Sequence, residues 1–323
     1  MALNHCKQLD TKIDNPEIDA FFNSFDTVLC DVDGVLRTGS RVIEGSPEAI
    51  EGFRKLGKDI IYMSNSCLHS RKDYLRSLTS MGYNGKIDDI FTASFACVQY
   101  LKDIGFSRTV YVLGPSAIGE ELDEAGIKHI GCGTDETPDR WYDPLIAKDV
   151  AESMSDDVGC VIVGLTYDVS YIKLVKAVSY LSKPDVLFLG THQDTKFPIT
   201  KGYIVPADGA FISFIQTATG KAPIVIGKPN KFMFNALKSI KSWMDPSRVL
   251  MIGDTPPTDM LFARVCGLKS LMVGTGVGKY CDIEKWEETP NEETMNYIPD
   301  YFIDKLGDFI SHFERYNPCE QYL

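Results

Sequence analysis

The sequence predicts an α/β protein: a Rossmann-like parallel-sheet core interrupted by a large inserted α/β cap domain. Three observations carry this reading. Strand-like and helix-like segments alternate almost throughout, as in a parallel sheet with helices on its faces. The strand-like runs are short, apolar and bounded by polar residues or Gly, the mark of strands buried on both faces. Between Ser64 and Lys228 lies enough chain for a whole second domain.

The first strand, Val28-Leu29-Cys30, runs into Asp31-Val32-Asp33-Gly34. Ser46-Pro47-Glu48 then opens a helix over residues 49–56, with Ser46 as its N-cap. The second strand, Ile60-Ile61-Tyr62-Met63, leads into Ser64-Asn65. A helix follows from Ser70-Arg71-Lys72-Asp73 to Gly82, and residues 95–101 continue the helical spacing. A separate strand series begins near Thr109, over 109–113, 159–163 and 186–189, with helices around 119–125 and 171–182. Residues 134–157 are rich in Asp, Glu and Pro and read as an exposed loop, and 282–296 as a second irregular acidic segment. The third motif run, Ile224-Val225-Ile226-Gly227, ends on Lys228. The fourth, Val249-Leu250-Met251-Ile252-Gly253, ends on Asp254. The expected division is therefore core 1–102, cap 103–222 and core 223–323.

Bulk properties narrow the class. At 323 residues, two domains are expected. A net charge of −12 and a pI near 4.9 exclude a nucleic-acid surface, which needs a basic stripe. An acidic surface also gives no general attraction for anions, so a phosphate ligand needs local donors and a metal. No run reaches the roughly eighteen apolar residues of a membrane span, and residues 1–14 lack the apolar core of a secretory signal. Nine cysteines include no CxxC pair, and Cys30, Cys97, Cys160 and Cys266 sit in apolar segments. A reduced, cytoplasmic protein with no nucleic-acid or membrane partner is expected.

Ligands bind at the carboxyl ends of parallel strands. If the four motif strands lie side by side, Asp31, Ser64, Lys228 and Asp254 meet at one edge. A strand-end carboxylate such as Asp31 can attack phosphorus and split hydrolysis into two steps. A second carboxyl, Asp33, can protonate the leaving oxygen and then take a proton from water. Magnesium prefers few carboxylates plus waters and phosphate oxygens, and Asp31, the carbonyl of Asp33 and Asp254 would provide such a set. Lys228 suits neutralisation of a transferring phosphoryl group, and Ser64-Asn65 offers a hydroxyl and N–H groups to an anion. Each fragment alone has a plainer reading as a turn, a helix cap or a surface lysine. Their joint occurrence in this order, always after a strand, favours the chemistry.

Asp31-Val32-Asp33-Gly34-Val35, Ser64-Asn65, Lys228 and Gly253-Asp254-Thr255 with Asp259 resemble the four motifs of the haloacid dehalogenase superfamily of phosphatases. The contexts Leu29 to Leu36, Ile226-Gly227-Lys228-Pro229 and Gly274-Thr275-Gly276-Val277 resemble its 4-nitrophenyl phosphatase and phosphoglycolate phosphatase branch, which includes chronophin-like pyridoxal phosphatases. Tyr171-Ile172-Lys173-Leu174 and Gly190-Thr191 fit the same branch. The resemblance implies Asp31 as nucleophile and Asp33 as general acid/base. It implies that Ser64, Asn65, Ser66 and Lys228 hold the phosphate. Asp31, Asp33 and Asp254 would bind Mg2+, Asp259 would orient Lys228 or metal-bound water, and a homodimer would form through the cap.

The chain departs from the family at Ser66-Cys67, where Asn normally follows Asn65, at Pro256-Pro257, and at Ala207-Asp208-Gly209. Asp208 in the cap would repel acidic substrates or pair with a cation. The expected function is a magnesium-dependent phosphomonoester hydrolase for small metabolites of the 4-nitrophenyl phosphate, phosphoglycolate or pyridoxal phosphate type. The alternatives are a phosphoprotein phosphatase and a non-catalytic ligand-binding module.

Overall fold

A computed structural model describes residues 5–10, 16–137, 143–200 and 203–315. Contacts divide the chain into two units. Met1–Ser64, Lys72–Phe91 and Lys228–Leu323 form the first, and Asn65–Arg71 with Thr92–Gly227 forms the second. The second unit therefore reaches further in both directions than the 103–222 expected, and takes in a short stretch after Ser64.

In chain order the elements begin with β1 (Lys7–Gln8), α1 (Pro16–Asn23), β2 (Thr27–Cys30) and the ribbon β3 (Arg37–Thr38) and β4 (Arg41–Val42). Next come α2 (Ser46–Lys55), β5 (Asp59–Ser64), α3 (Arg71–Ser80), β6 (Ile90–Thr92) and α4 (Ala93–Asp103). The middle of the chain forms β7 (Thr109–Leu113), α5 (Ser116–Glu124), β8 (His129–Ile130), α6 (Pro144–Glu152) and β9 (Val158–Val163). It continues through α7 (Tyr171–Leu181), β10 (Leu187–Gly190), β11 (Lys196–Thr200), β12 (Tyr203–Pro206), α8 (Asp208–Thr219) and β13 (Ile224–Val225). The last part holds α9 (Lys231–Ile240), β14 (Val249–Gly253), α10 (Leu261–Cys266), β15 (Lys269–Val273), α11 (Tyr280–Glu288), β16 (Tyr301–Ile303) and α12 (Ile310–Arg315).

The first unit is built on a seven-stranded sheet of order β1-β16-β15-β14-β2-β5-β6. Within it, β2 is parallel to both neighbours, with Cys30 opposite Ile252 of β14 and Tyr62 of β5. All four residues of β2 and all five of β14 are buried, as strands covered by helices on both faces require. Phe21, Phe22, Phe25, Phe53 and Phe309 fill the core against α1 and α2. Because the three strands are parallel, Asp31, Ser64 and Asp254 leave the sheet at one edge.

The second unit has its own parallel sheet, β13-β10-β9-β7-β8, over a core that includes Tyr111, Val161, Tyr180 and Phe188. Here the structure corrects the sequence reading. The third motif run does not join the main sheet: Ile224 and Val225 pair with Leu189 and Gly190 at the edge of the second sheet. An apolar run states that a strand is buried, not which sheet it joins.

Three local expectations also change. Ser46 is the first helical residue rather than the cap, which is Gly45 at φ +78°. The Ser46 hydroxyl bonds instead with the carbonyl of Ile43 at 2.5 Å and the Tyr83 hydroxyl at 2.6 Å. Part of 134–157 is the helix α6, while residues 138–142 lie outside the described residues. The acidic segment 282–296 begins within α11, whose Ile283 is buried. In α11 acidic residues masked an amphipathic spacing.

Candidate active site

The chain leaving β2 stays tied to the sheet, since the Asp31 N–H donates to the carbonyl of Ile252 at 2.9 Å. It then turns sharply. The carbonyl of Val32 accepts from the N–H groups of Leu36 and Arg37, and the Gly34 N–H donates to the carbonyl of Arg37 at 2.7 Å. Gly34 is needed twice: its φ is +88°, and a Cβ there would stand 2.4 Å from Asp254 Oδ2. The turn leaves Asp33 half-exposed, with Arg37 Nε donating to its Oδ1 at 3.0 Å. Arg37 is itself held by the Ser77 hydroxyl at 3.1 Å and lies over the Tyr74 ring. Sequence reasoning missed Arg37, for which the only signal is its place four residues after Asp33.

Lys228 is buried, with Nζ 2.6 Å from Asp31 Oδ1 and 2.7 Å from Asp259 Oδ1. Burial works to lower the Lys228 pKa, but Asp259 and Asp31 outweigh it and the value rises. The ammonium is therefore charged. Asp259 is fixed from the other side, its Oδ2 accepting from the N–H groups of Asp254 and Thr255 at 3.1 Å each. It sits on a wide π-helical turn, Pro256–Met260, the form taken by the unusual Pro256-Pro257 pair. With both oxygens engaged, Asp259 acts on Lys228 and on the Asp254 backbone.

Asp254 is wrapped by the Gly-rich run that follows β15. Its Oδ2 accepts from the Val277 N–H at 2.8 Å, its Oδ1 from the Thr255 hydroxyl at 3.1 Å, and its carbonyl from the Gly278 N–H at 2.8 Å. The Thr275 hydroxyl reaches across to the carbonyl of Gly34 at 2.6 Å. The sequence reading used this run only as context for the family resemblance; in the structure it cradles a carboxylate.

Asp31, Asp254 and Asp259 each bring a carboxylate oxygen within 4.8 Å of the others. One ammonium faces three carboxylates. Burial first, then neighbouring carboxylates, pushes Asp31 well above the usual carboxylate range, with Lys228 opposing. Burial and then Asp259 push Asp254 up to about 6. Such a set of hard oxygen donors with surplus negative charge fits a divalent cation of the magnesium class. The Asp33 carboxylate is not part of that cluster.

Ser64, at the end of β5, is buried with its hydroxyl 2.9 Å from that of Tyr74. Asn65 and Ser66 belong by their contacts to the second unit. There the Ser66 hydroxyl accepts from the Leu68 N–H at 3.4 Å. Asp208, also in the second unit, is buried and bonded within it. It neither faces solvent nor stands free to repel a substrate.

Comparison with known proteins fits this geometry. Residues 28–128 match the family described as haloacid dehalogenase-like hydrolase, and residues 225–309 a HAD-hydrolase-like family. The chain is 35% identical over 302 residues to a 4-nitrophenylphosphatase of Schizosaccharomyces pombe, covering 92% of this chain and 97% of that protein. It is 31% identical over 298 residues to a glycerol-3-phosphate phosphatase of Gallus gallus, covering 91% and 94%. Among solved structures, a glycerol phosphate phosphatase of Mycobacterium tuberculosis in complex with magnesium shares the fold. Its TM-score is 0.70 at 21% identity, over 89% of this chain and 77% of that one.

Proposed function

The chain belongs to the haloacid dehalogenase-like hydrolases and is a phosphatase of that family, and on this premise we infer that it is a magnesium-dependent hydrolase of small phosphate monoesters working through a phosphoryl group on Asp31. The observation that carries the reading is the first unit's own cluster: Asp31 bonded to a buried, charged Lys228, with Asp254 and Asp259 beside it.

Asp31 supplies the attacking carboxylate oxygen. As its bond to phosphorus forms, the bond to the ester oxygen breaks, and the Asp33 carboxyl gives that oxygen a proton. Asp33, now a carboxylate, takes a proton from water, whose oxygen attacks the same phosphorus. Inorganic phosphate leaves and the Asp31 carboxylate is regenerated. The Arg37 contact, backed by Ser77 and Tyr74, holds Asp33 for both transfers. An acid at this position favours phosphatase over dehalogenase chemistry, which does not need one.

Lys228 with Ser64, Asn65 and Ser66 would hold the phosphate oxygens, and Asp259 keeps Lys228 in place. Asp31, the carbonyl of Asp33 and Asp254 would hold magnesium. When bound, the ion neutralises charge on the carboxylates and on the transferring group. A glycerol phosphate phosphatase of the same fold, from M. tuberculosis, was solved in complex with magnesium.

Substrates of the 4-nitrophenyl phosphate or glycerol-3-phosphate type fit the named relatives, and an Asp208 engaged elsewhere removes the reason to exclude acidic ones such as phosphoglycolate. The described cysteines are all free thiols, in keeping with a reducing, cytoplasmic setting. No helix among the described residues is long and apolar enough to cross a membrane.

The test is phosphate release from 4-nitrophenyl phosphate, with magnesium and with EDTA, for wild type and Asp31→Asn. Release that needs magnesium and vanishes in the folded variant is expected. Undiminished release by Asp31→Asn would remove Asp31 as the nucleophile.

A further inference from the structure

Cys67 and Asp208, two of the places where the sequence departs from its family's pattern, lie 141 residues apart in the chain and touch in the fold. The Cys67 thiol donates to Asp208 Oδ1 at 3.0 Å. The same oxygen accepts from the Leu165 N–H at 2.8 Å and from the Thr191 hydroxyl, while Oδ2 lies 3.4 Å from His192 Nδ1. All five residues belong to the second unit. The Asp208 side chain is 2% exposed. It opens α8, where the helix N-terminus favours a negative charge. A carboxylate bonded on both oxygens cannot meet a substrate without breaking those bonds, each of which would leave a buried donor unpaired.

The cluster reaches two segments. Cys67 lies in Asn65–Arg71, the part of the second unit that directly follows Ser64. Arg71, at the far end of that segment, is tied by its N–H and Nε to Glu121 at 2.7 and 3.0 Å and lies over the Phe95 ring. On the other side, the carbonyl of Thr191 accepts from the N–H of Gly227, the residue before Lys228, at 2.7 Å. A Cβ on Gly227 would stand 2.8 Å from Asn65 Oδ1 and 3.0 Å from His192 Cβ. One carboxylate thus links the segment that carries Asn65 to the segment that ends beside Lys228.

We propose that Asp208 is a positioning residue: by fixing Cys67 on one side and Thr191 with His192 on the other, it sets the placement of Asn65 and of the chain entering Lys228. The consequence for turnover rests on the phosphatase reading above; the lock itself does not. Asp208 acts on every substrate alike, because it holds phosphate-binding segments rather than the leaving group.

The test combines amide hydrogen exchange with steady-state kinetics on the full chain, for wild type, Asp208→Ala, Asp208→Asn and Cys67→Ala. Asp208→Ala should raise exchange across 65–71 and at 191–192 by about tenfold or more, with α7 little changed. Its kcat/KM should fall by one common factor, about tenfold, for 4-nitrophenyl phosphate, glycerol-3-phosphate and phosphoglycolate. Asp208→Asn, which keeps an acceptor oxygen for Leu165, should recover most of both. Unchanged exchange at 65–71, or a uniform rise through the whole second unit, overturns the proposal. So does a loss confined to acidic substrates, which would make Asp208 a group that reads substrate charge. If Asp208→Ala does not fold, Cys67→Ala decides: faster exchange at 65–71 supports the lock, and none contradicts it. A wild type that hydrolyses no phosphate ester would sink the functional reading, while the exchange result still judges the lock.

Discussion

Asp254 carries the charge problem of the site in a single side chain. Burial, then Asp259, lifts its pKa from 3.8 to about 6. Between those values the folded chain binds more protons at Asp254 than the unfolded chain. The group therefore withdraws stability from the metal-free protein as pH rises through that window. A divalent cation must displace that proton below about pH 6, so magnesium affinity should weaken there as pH falls. Calorimetric titration at about pH 5 and about pH 7 checks this; equal affinities would show that Asp254 is not a ligand. At this scale the sequence was most informative about residues that follow an apolar run. Asp31, Lys228, Asp254 and Asp259 all come from such places or just after, and the fold brings them together. Arg37 and Tyr74 were not legible, because their importance comes only from what a turn and a helix place beside Asp33 and Ser64.

The elements explain how these charges are held so close. The run after β15 has no side chain at Gly276, and a Cβ there would stand 1.9 Å from Asp254 Oδ2. Gly276→Ala should push Asp254 aside and weaken magnesium binding by about tenfold or more, while the fold, judged by circular dichroism, is kept. Unchanged magnesium dependence of turnover would show that Asp254 need not sit where it does. Elements also mark where pattern reading stopped. The run at Ile224 was legible as a strand, but it joins β10 of the second sheet rather than the main sheet, because an apolar run does not say which sheet it enters. Helix α11 was hidden by the acidic residues around its buried Ile283, and α6 by the polar composition of its segment. The π-helical turn that aims Asp259 follows from Pro256-Pro257 only once the backbone is seen.

Over the whole molecule, the α/β class was legible because alternation of strand and helix persists through both units. The division between units was harder to read, since Asn65–Arg71 and α4 join the second by contacts that no local composition announces. The proposed magnesium ligands Asp31, Asp33 and Asp254 all lie in the first unit. Magnesium at a hundredfold excess over its dissociation constant should stabilise that unit by about 2.7 kcal/mol. Differential scanning calorimetry should show a raised melting temperature that EDTA reverses and that Asp254→Asn lacks. A net charge of −12 gives an anionic substrate no general attraction, so on the proposed reading Lys228 and the ion would have to draw it in. The central claim is that phosphoryl transfer passes through Asp31, and acid-quenched enzyme in mid-turnover, digested and mapped by mass spectrometry, tests it most directly. A phosphoryl group on the peptide bearing Asp31, absent in Asp31→Asn, is the predicted result. Steady turnover with the group on another residue, or with no phosphorylated peptide at all, would contradict it.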